Sequence, residues 1–263
     1  MSSALHRSSP ASATQAPLLI GCAHGTADRA GRAAIRSILD DVRAARPDLE
    51  VREAFVDVQE PSVAQVVADT PADRSLVVVP VLLSGGHHVH VDIARAVTSR
   101  STGAPGVAAA PLGPDPRLVA VLLDRLRSVG LTDDDAVVLA AAGSSDPRAR
   151  DAVETVAAEL RTALRTAVRS AGDPTGRTEP DVTVGYGAIA APTVADAVAA
   201  ARSRGAARVV VASYLLAPGH FHDRLGRVGA DLVTDPLAPD PRLAEIVLDR
   251  YIAAERELGG PQA

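Results

Sequence analysis

Six of the seven histidines sit where they could act together: His24 alone, His87, His88 and His90 within four positions, and His220 with His222. An imidazole titrates near neutral pH, so it can hold a divalent metal through a ring nitrogen or accept a proton in the same reaction. Three imidazoles in the run His87-His88-Val89-His90 are rarely recruited for packing. Asp57 follows the apolar stretch Phe55-Val56. Two imidazoles and a carboxylate, His24, His88 and Asp57, suit a borderline divalent cation. Three ligands with open positions describe a working site, not a sealed structural one. Taken singly, His24 before Gly25 fits a turn and Asp57 fits an N-cap for a helix near Pro61. Taken jointly at matched strand ends, they favour a site.

Those strand ends follow from the patterning. Short β-branched runs alternate with longer amphipathic stretches, which is the signature of parallel α/β architecture. Strands are predicted over 18–23, 49–58, 75–83 and 106–111, with helices over 29–45, 62–68, 92–100 and 116–128. The order then repeats, with strands over 136–142, 181–186, 207–216 and 231–234, helices over 147–171, 193–203 and 241–254, and a segment around 222–228. The run 76–83 is apolar on both faces, as a central parallel strand requires, although Pro80 inside it removes a ladder donor. In such open sheets the carboxyl ends of the strands face one crevice. His24, Asp57 and His88 follow the first three strands and should meet there.

The repeat extends to local sequence. Pro111-Leu112-Gly113-Pro114-Asp115-Pro116-Arg117-Leu118 returns 125 positions later as Pro236-Leu237-Ala238-Pro239-Asp240-Pro241-Arg242-Leu243, and Gly25-Thr26-Ala27-Asp28 has its counterpart in Gly143-Ser144-Ser145-Asp146. The expected fold is therefore α/β, two similar domains related by a pseudo-two-fold, each a four-stranded parallel sheet flanked by helices, with a cleft between them. The expected division is a disordered tail at 1–16, a first domain at 17–130 carrying the site, and a duplicate at 131–263. An exposed loop is expected over 172–180.

Composition excludes other classes. With 27 basic residues, all arginine, against 32 acidic ones, the net charge is −5, so no global positive field favours nucleic acid or an anionic membrane. No run approaches the ~20 apolar residues of a membrane span. The 2% aromatic content, without tryptophan, argues against carbohydrate or base stacking. A lone cysteine, Cys22, permits no internal disulfide and fits a reducing, cytoplasmic setting; it reads as a small buried hydrophobe. There is no Gly-x-Gly-x-x-Gly, no phosphate-loop lysine and no nucleophile elbow.

The segments Ala23-His24-Gly25-Thr26, Phe55-Val56-Asp57 before Pro61-Ser62, and Pro80-Val81-Leu82-Leu83-Ser84-Gly85-Gly86-His87-His88 with Asp92-Ile93 together resemble the sirohydrochlorin ferrochelatase and cobaltochelatase family. The likeness is to its long, fused two-domain form and covers nearly all of 17–254, including 215–225. It implies insertion of Fe²⁺ or Co²⁺ into sirohydrochlorin, for sirohaem or cobalamin. It implies His24 and His88 as metal-contacting catalytic residues, with Asp57 as a third catalytic group. The family often has Glu at Asp57; the shorter Asp makes a supporting or proton-accepting role as apt as direct contact. Gly25, Thr26, Phe55, Gly86 and His87 would border the macrocycle. The metal is substrate, with no permanently bound cofactor, and the protein is expected to be a monomer or homodimer. In the duplicate, Ala142 replaces His24 and Phe221 aligns with His88, so metal chemistry there is expected to be lost; His220 and His222 could line the cleft or be surface residues. Two other readings stand beside this one: a non-catalytic metal or tetrapyrrole carrier, and a zinc hydrolase built on His88-Val89-His90-Val91-Asp92, although Ile93 stands where that motif needs His.

Overall fold

The computed structural model describes residues 15–100, 102–171 and 181–259, without the side chains of 87–90 and 168–171. Of the tail expected over 1–16 only 15 and 16 are described, and the loop expected over 172–180 lies outside the described residues. Among the described residues eight strands form two sheets, every pairing parallel. The first contains β1 (Leu18–Ala23), β2 (Val51–Phe55), β3 (Leu76–Pro80) and β4 (Gly106–Ala108) in the order β2-β1-β3-β4. The second contains β5 (Ala136–Ala141), β6 (Val182–Tyr186), β7 (Val209–Tyr214) and β8 (Leu232–Val233) in the order β6-β5-β7-β8. The two topologies are the same.

Side chains alternate across each sheet, as strand geometry dictates. Leu19 and Ala23 of β1 face inward and Leu18, Ile20 and Cys22 face outward. The inner faces of both sheets join one hydrophobic core, in which Leu19 and Val77 share a cluster with Val137 and Val210. Helices α1 (Arg29–Ala45), α4 (Pro116–Ser128), α5 (Pro147–Ala171) and α8 (Pro241–Leu258) fill the space between the sheets, while α2 (Val63–Ala68) and α3 (His87–Thr98) cover the outside of the first and α6 (Val194–Ser203) and α7 (His220–Leu225) that of the second.

The last helix of each repeat covers the other repeat's sheet. Helix α8 packs beside α1 on β3 and β4, and α4 packs beside α5 on β7. The exchange is pinned by equivalent bonds. Arg125 of α4 donates to the carbonyls of Pro236, Leu237 and Pro239 at 3.1, 3.1 and 2.9 Å. Arg250 of α8 donates to Pro111 and Leu112 at 2.9 and 3.0 Å and reaches Pro114 at 3.4 Å. Arg117 meets Asp249, and Arg242 meets Asp124, each at 2.8 Å. The recurring octapeptide is thus a docking strip as well as a helix start, where Asp115 and Asp240 are N-caps followed by proline.

Several expected bounds need correction. Strand β3 ends at Pro80 instead of running to 83, and β2 and β4 are also shorter than predicted. Pro80 follows the last β3–β4 ladder bond, from the Ala109 N–H to the Val78 carbonyl at 2.8 Å, so its missing donor ends that ladder and does not interrupt it. Helix α3 starts at His87, not near 92, so the histidine cluster lies in its first turn. Among the described residues no helix is long and apolar enough to cross a membrane.

Candidate active site

His24 is the first residue beyond β1. Its carbonyl accepts the Asp57 N–H at 3.0 Å, extending the β1–β2 ladder past the strand ends and fixing the two residues side by side. Gly25 then turns the chain at φ +96; a Cβ there would lie 2.1 Å from the Asp57 carbonyl oxygen, so only glycine fits. The Thr26 N–H donates to Gln59 Oε1 at 2.9 Å, its Oγ1 accepts from Asp28 N–H at 3.1 Å, and Asp28 caps α1 through the Gly31 N–H. The loop is rigid in its backbone, yet His24 is exposed and no described residue hydrogen-bonds to its ring. His24 does precede a turn, but Asp57 is not the N-cap expected of it. Asp28 caps α1, Ser62 caps α2, and Asp57 Oδ1 instead accepts the Val58 N–H at 2.8 Å.

Val58 centres a tight turn in which the Gln59 N–H bonds the Asp57 carbonyl at 2.6 Å. Its φ of 63 is left-handed, a strained choice for a β-branched residue. The second repeat builds the same turn on Ile189, at φ 65, with the Ala190 N–H on the Ala188 carbonyl at 2.6 Å. Both side chains point to solvent, 54% and 79% exposed. With Val91 and Phe221 they are the exposed large apolar residues among the described ones; Val58 and Ile189 follow strand ends closely, while Val91 lies in α3 and Phe221 in α7.

On the other side of His24, the Val81 N–H donates to the Cys22 carbonyl at 2.8 Å and the chain runs through 82–86 into α3, whose N-cap is Gly86. The strand order β2-β1-β3 therefore puts His24 between Asp57 and the start of α3. The backbone positions of His87 and His88 open that helix; their side chains, and hence the imidazole expected to join His24, lie outside the described residues. Among the described residues no three His, Cys, Asp or Glu side chains form a metal-holding group. Phe55, expected to border a ligand, is 3% exposed and packs in the core beneath the rim. Cys22 is buried, which pushes its thiol up to about 12 and makes it inert as a nucleophile.

The duplicate carries different residues at the equivalent positions. The Ala188 N–H bonds the Ala142 carbonyl at 3.0 Å as Asp57 bonds His24, so Ala142 and Ala188 occupy the His24 and Asp57 positions. Gly219 precedes α7 as Gly86 precedes α3, and Phe221 stands where His88 stands, its ring against Gly187. His222 Nε2 lies 3.1 Å from the Thr234 carbonyl oxygen, which ties α7 to the end of β8. His220 is exposed. Across the cleft, Pro218 of the second repeat packs against Gly31 near the His24 loop.

The CbiX family model matches residues 18–129 and again 136–254. The chain belongs to the CbiX family. Both repeats are CbiX units, which fits the fused two-domain form of these chelatases. Solved CbiX-type structures share the fold. SirB from Bacillus subtilis with Fe³⁺ is 17% identical, with a TM-score of 0.72 over 94% of this chain and 98% of that one. SirB from Bacillus subtilis subspecies spizizenii, a sirohydrochlorin chelatase in complex with cobalt, is 17% identical with a TM-score of 0.67 over the same shares. A CbiX described as the terminal enzyme for biosynthesis of siroheme in denitrifying bacteria is 20% identical, with a TM-score of 0.62 over 90% of this chain and 99% of that one. No curated protein matches the chain.

Proposed function

We propose that this CbiX-family chain is a chelatase that inserts Fe²⁺ or Co²⁺ into sirohydrochlorin, for sirohaem or cobalamin synthesis. The observation that carries the reading is the exposed His24 imidazole, without a ring hydrogen bond among the described residues and tied through its backbone to Asp57 on one side of the approach to α3. Metallation exchanges the cation's water for four ring nitrogens and releases two pyrrole protons. His24 and His88 hold the ion weakly enough to release it, and a neutral imidazole nitrogen accepts a pyrrole proton. Asp57 keeps one carboxylate oxygen on the Val58 N–H, leaving the other free to orient His24 or take the second proton. Gly25, Thr26, Gly86 and His87 edge the macrocycle, Val58 meets its face, and Phe55 supports the floor. The site belongs to residues 17–130, and 131–263 completes the cleft; the chain acts as a monomer or homodimer.

The test follows the visible spectrum of sirohydrochlorin with Co²⁺ or Fe²⁺ at substoichiometric protein. The expected result is multiple turnover by the wild type, a fall of about a hundredfold or more in His24→Ala and His88→Ala, and little change in His222→Ala. Full activity in folded His24→Ala defeats the assignment. Binding of pigment or metal without turnover makes the protein a carrier.

A further inference from the structure

Thr26 is held at every group it offers. Its N–H donates to Gln59 Oε1 at 2.9 Å, its carbonyl accepts from Arg32 Nε at 2.8 Å, and its Oγ1 accepts the Asp28 N–H at 3.1 Å. Its Cγ2 methyl lies over Gly31, where a Cβ would come within 3.1 Å of it and 2.6 Å of the Pro218 carbonyl oxygen. His24, two positions earlier, is bonded through its carbonyl to Asp57. Gly25 between them is therefore fixed from both sides, and glycine is the residue with the most conformational freedom to lose. The second repeat builds the same turn with less. Gly143 keeps φ +92, the Ala188 N–H bonds the Ala142 carbonyl at 3.0 Å, and the Asp146 N–H bonds Ser144 Oγ at 3.1 Å. Ala190 stands at the Gln59 position, and among the described residues no side chain bonds the Ser144 N–H or carbonyl. The turn thus forms without the two side-chain bonds. What differs is the residue it presents, an alanine in one repeat and an imidazole in the other.

We infer that Gln59 and Arg32 are positioning residues for His24, gripping the Thr26 peptide so that the imidazole is in place before the cation arrives, an inference that rests on the chelatase reading. The His24 ring is exposed and makes no hydrogen bond to a described residue, so its aim comes from its backbone. A ligand whose backbone must be ordered on meeting the ion binds it more weakly and delivers it more slowly, because that ordering opposes both steps. The two side chains reach Thr26 from different elements, Gln59 from the turn after β2 and Arg32 from the start of α1. One is a neutral acceptor and the other a cation, and Thr26 is the hydrogen-bond partner they share. Gln59 also closes the Asp57 turn, its own N–H lying 2.6 Å from the Asp57 carbonyl oxygen, so the grip spans both His24 and Asp57.

Gln59→Leu and Arg32→Ala, alone and together, are compared with the wild type in four measurements: steady-state metallation of sirohydrochlorin with Co²⁺, Co²⁺ titration without pigment, hydrogen exchange over 24–28, and thermal melting. The expected result in each single variant is a roughly tenfold lower kcat and a weaker Co²⁺ Kd, with KM for the pigment within about twofold and faster exchange over 24–28. The double variant should fall little further, because a loop released by one loss gains little from the bond that remains. Arg32 is exposed, so its alanine variant folds whatever Gln59→Leu does. Unchanged kcat in both single variants of a wild type that turns over overturns the positioning role and leaves the chelatase reading intact. A lowered Tm with kcat kept assigns the two bonds to the fold, and a raised KM with kcat kept makes the side chains pigment contacts; either result also overturns it. A wild type that binds Co²⁺ more tightly than both variants but never turns over keeps the positioning of His24 and removes the chelatase.

Discussion

His24 and Asp57 illustrate how a site residue can be immobile in its backbone and free at its tip. The 3.0 Å bond between their main chains holds the pair in register, while the ring of His24 stays in solvent. Asp57→Asn retains an oxygen for the Val58 N–H, so the turn should survive and Tm should change by less than about 2 °C. If the second carboxylate oxygen takes a proton or orients His24, metallation falls about tenfold or more in the same variant. Retained activity assigns Asp57 to the turn alone. Cys22 should resist thiol reagents until the protein unfolds, because burial keeps it a thiol; labelling with and without urea reads this directly. The positions of His24 and Asp57 beyond the first two strands were legible in the sequence, because a strand end can be read from periodicity. Gln59 and Arg32 were not legible as partners of Thr26. Nothing local to either sets it apart, because each bond depends on how the turn after β2 and the start of α1 are brought to the His24 loop.

Among the elements, the turns at Val58 and Ile189 stand out. A left-handed conformation costs an L-residue about 1–2 kcal/mol, more readily accepted by glycine, which gives back part of that in unfolded-state entropy. Val58→Gly should therefore raise Tm by about 1–3 °C, measured by thermal melting, while raising KM for the tetrapyrrole through loss of an apolar contact. A lowered Tm would show that Val58 is not strained. Strand centres and most helices follow from apolar runs and N-caps, and the structure agrees with the predicted bounds of α1, α4 and α5. The start of α3 did not follow. Its cap, Gly86, offers no side-chain hydrogen bond, and histidine and valine are indifferent helix formers, so no local signal announces the first turn. That turn is set by where the chain leaves β3, which is decided by the sheet.

For the whole molecule, the reciprocal helices tie each repeat to the other's sheet. Arg125→Ala would strand carbonyls in the buried stretch 236–238 and should cost about 2–3 kcal/mol in urea unfolding; Arg250→Ala, its counterpart, should cost a similar amount. Acid should weaken the same interface. Burial raises the Asp115 and Asp240 carboxyls, but their arginine partners and backbone N–H bonds outweigh it and leave both below the usual range. A depressed folded pKa gives stability that is complete above the unfolded value, about 3.9, and is lost as pH falls through the folded value. Urea midpoints should be level between pH 7 and 5 and drop near pH 3, and a flat profile to pH 3 would contradict this. The duplication was visible in the octapeptide repeated 125 positions apart, but the exchange of α4 and α8 was not, since each helix would satisfy its own apolar face equally well on either sheet. By the same geometry, residues 17–130 alone should fail to fold cooperatively, with β3 and β4 stripped of α8; a sharp melting transition in that fragment would count against it.

The swap of closing helices has a consequence for how such a molecule comes into being. A polypeptide carrying a single repeat would leave one sheet bare and could be finished only by meeting a twin, an encounter whose speed depends on how crowded the solution is. Tethering the twins end to end turns that collision into a unimolecular event, independent of expression level. It also frees one twin to diverge, and at the positions of His24, Asp57 and His88 the second repeat holds Ala142, Ala188 and Phe221.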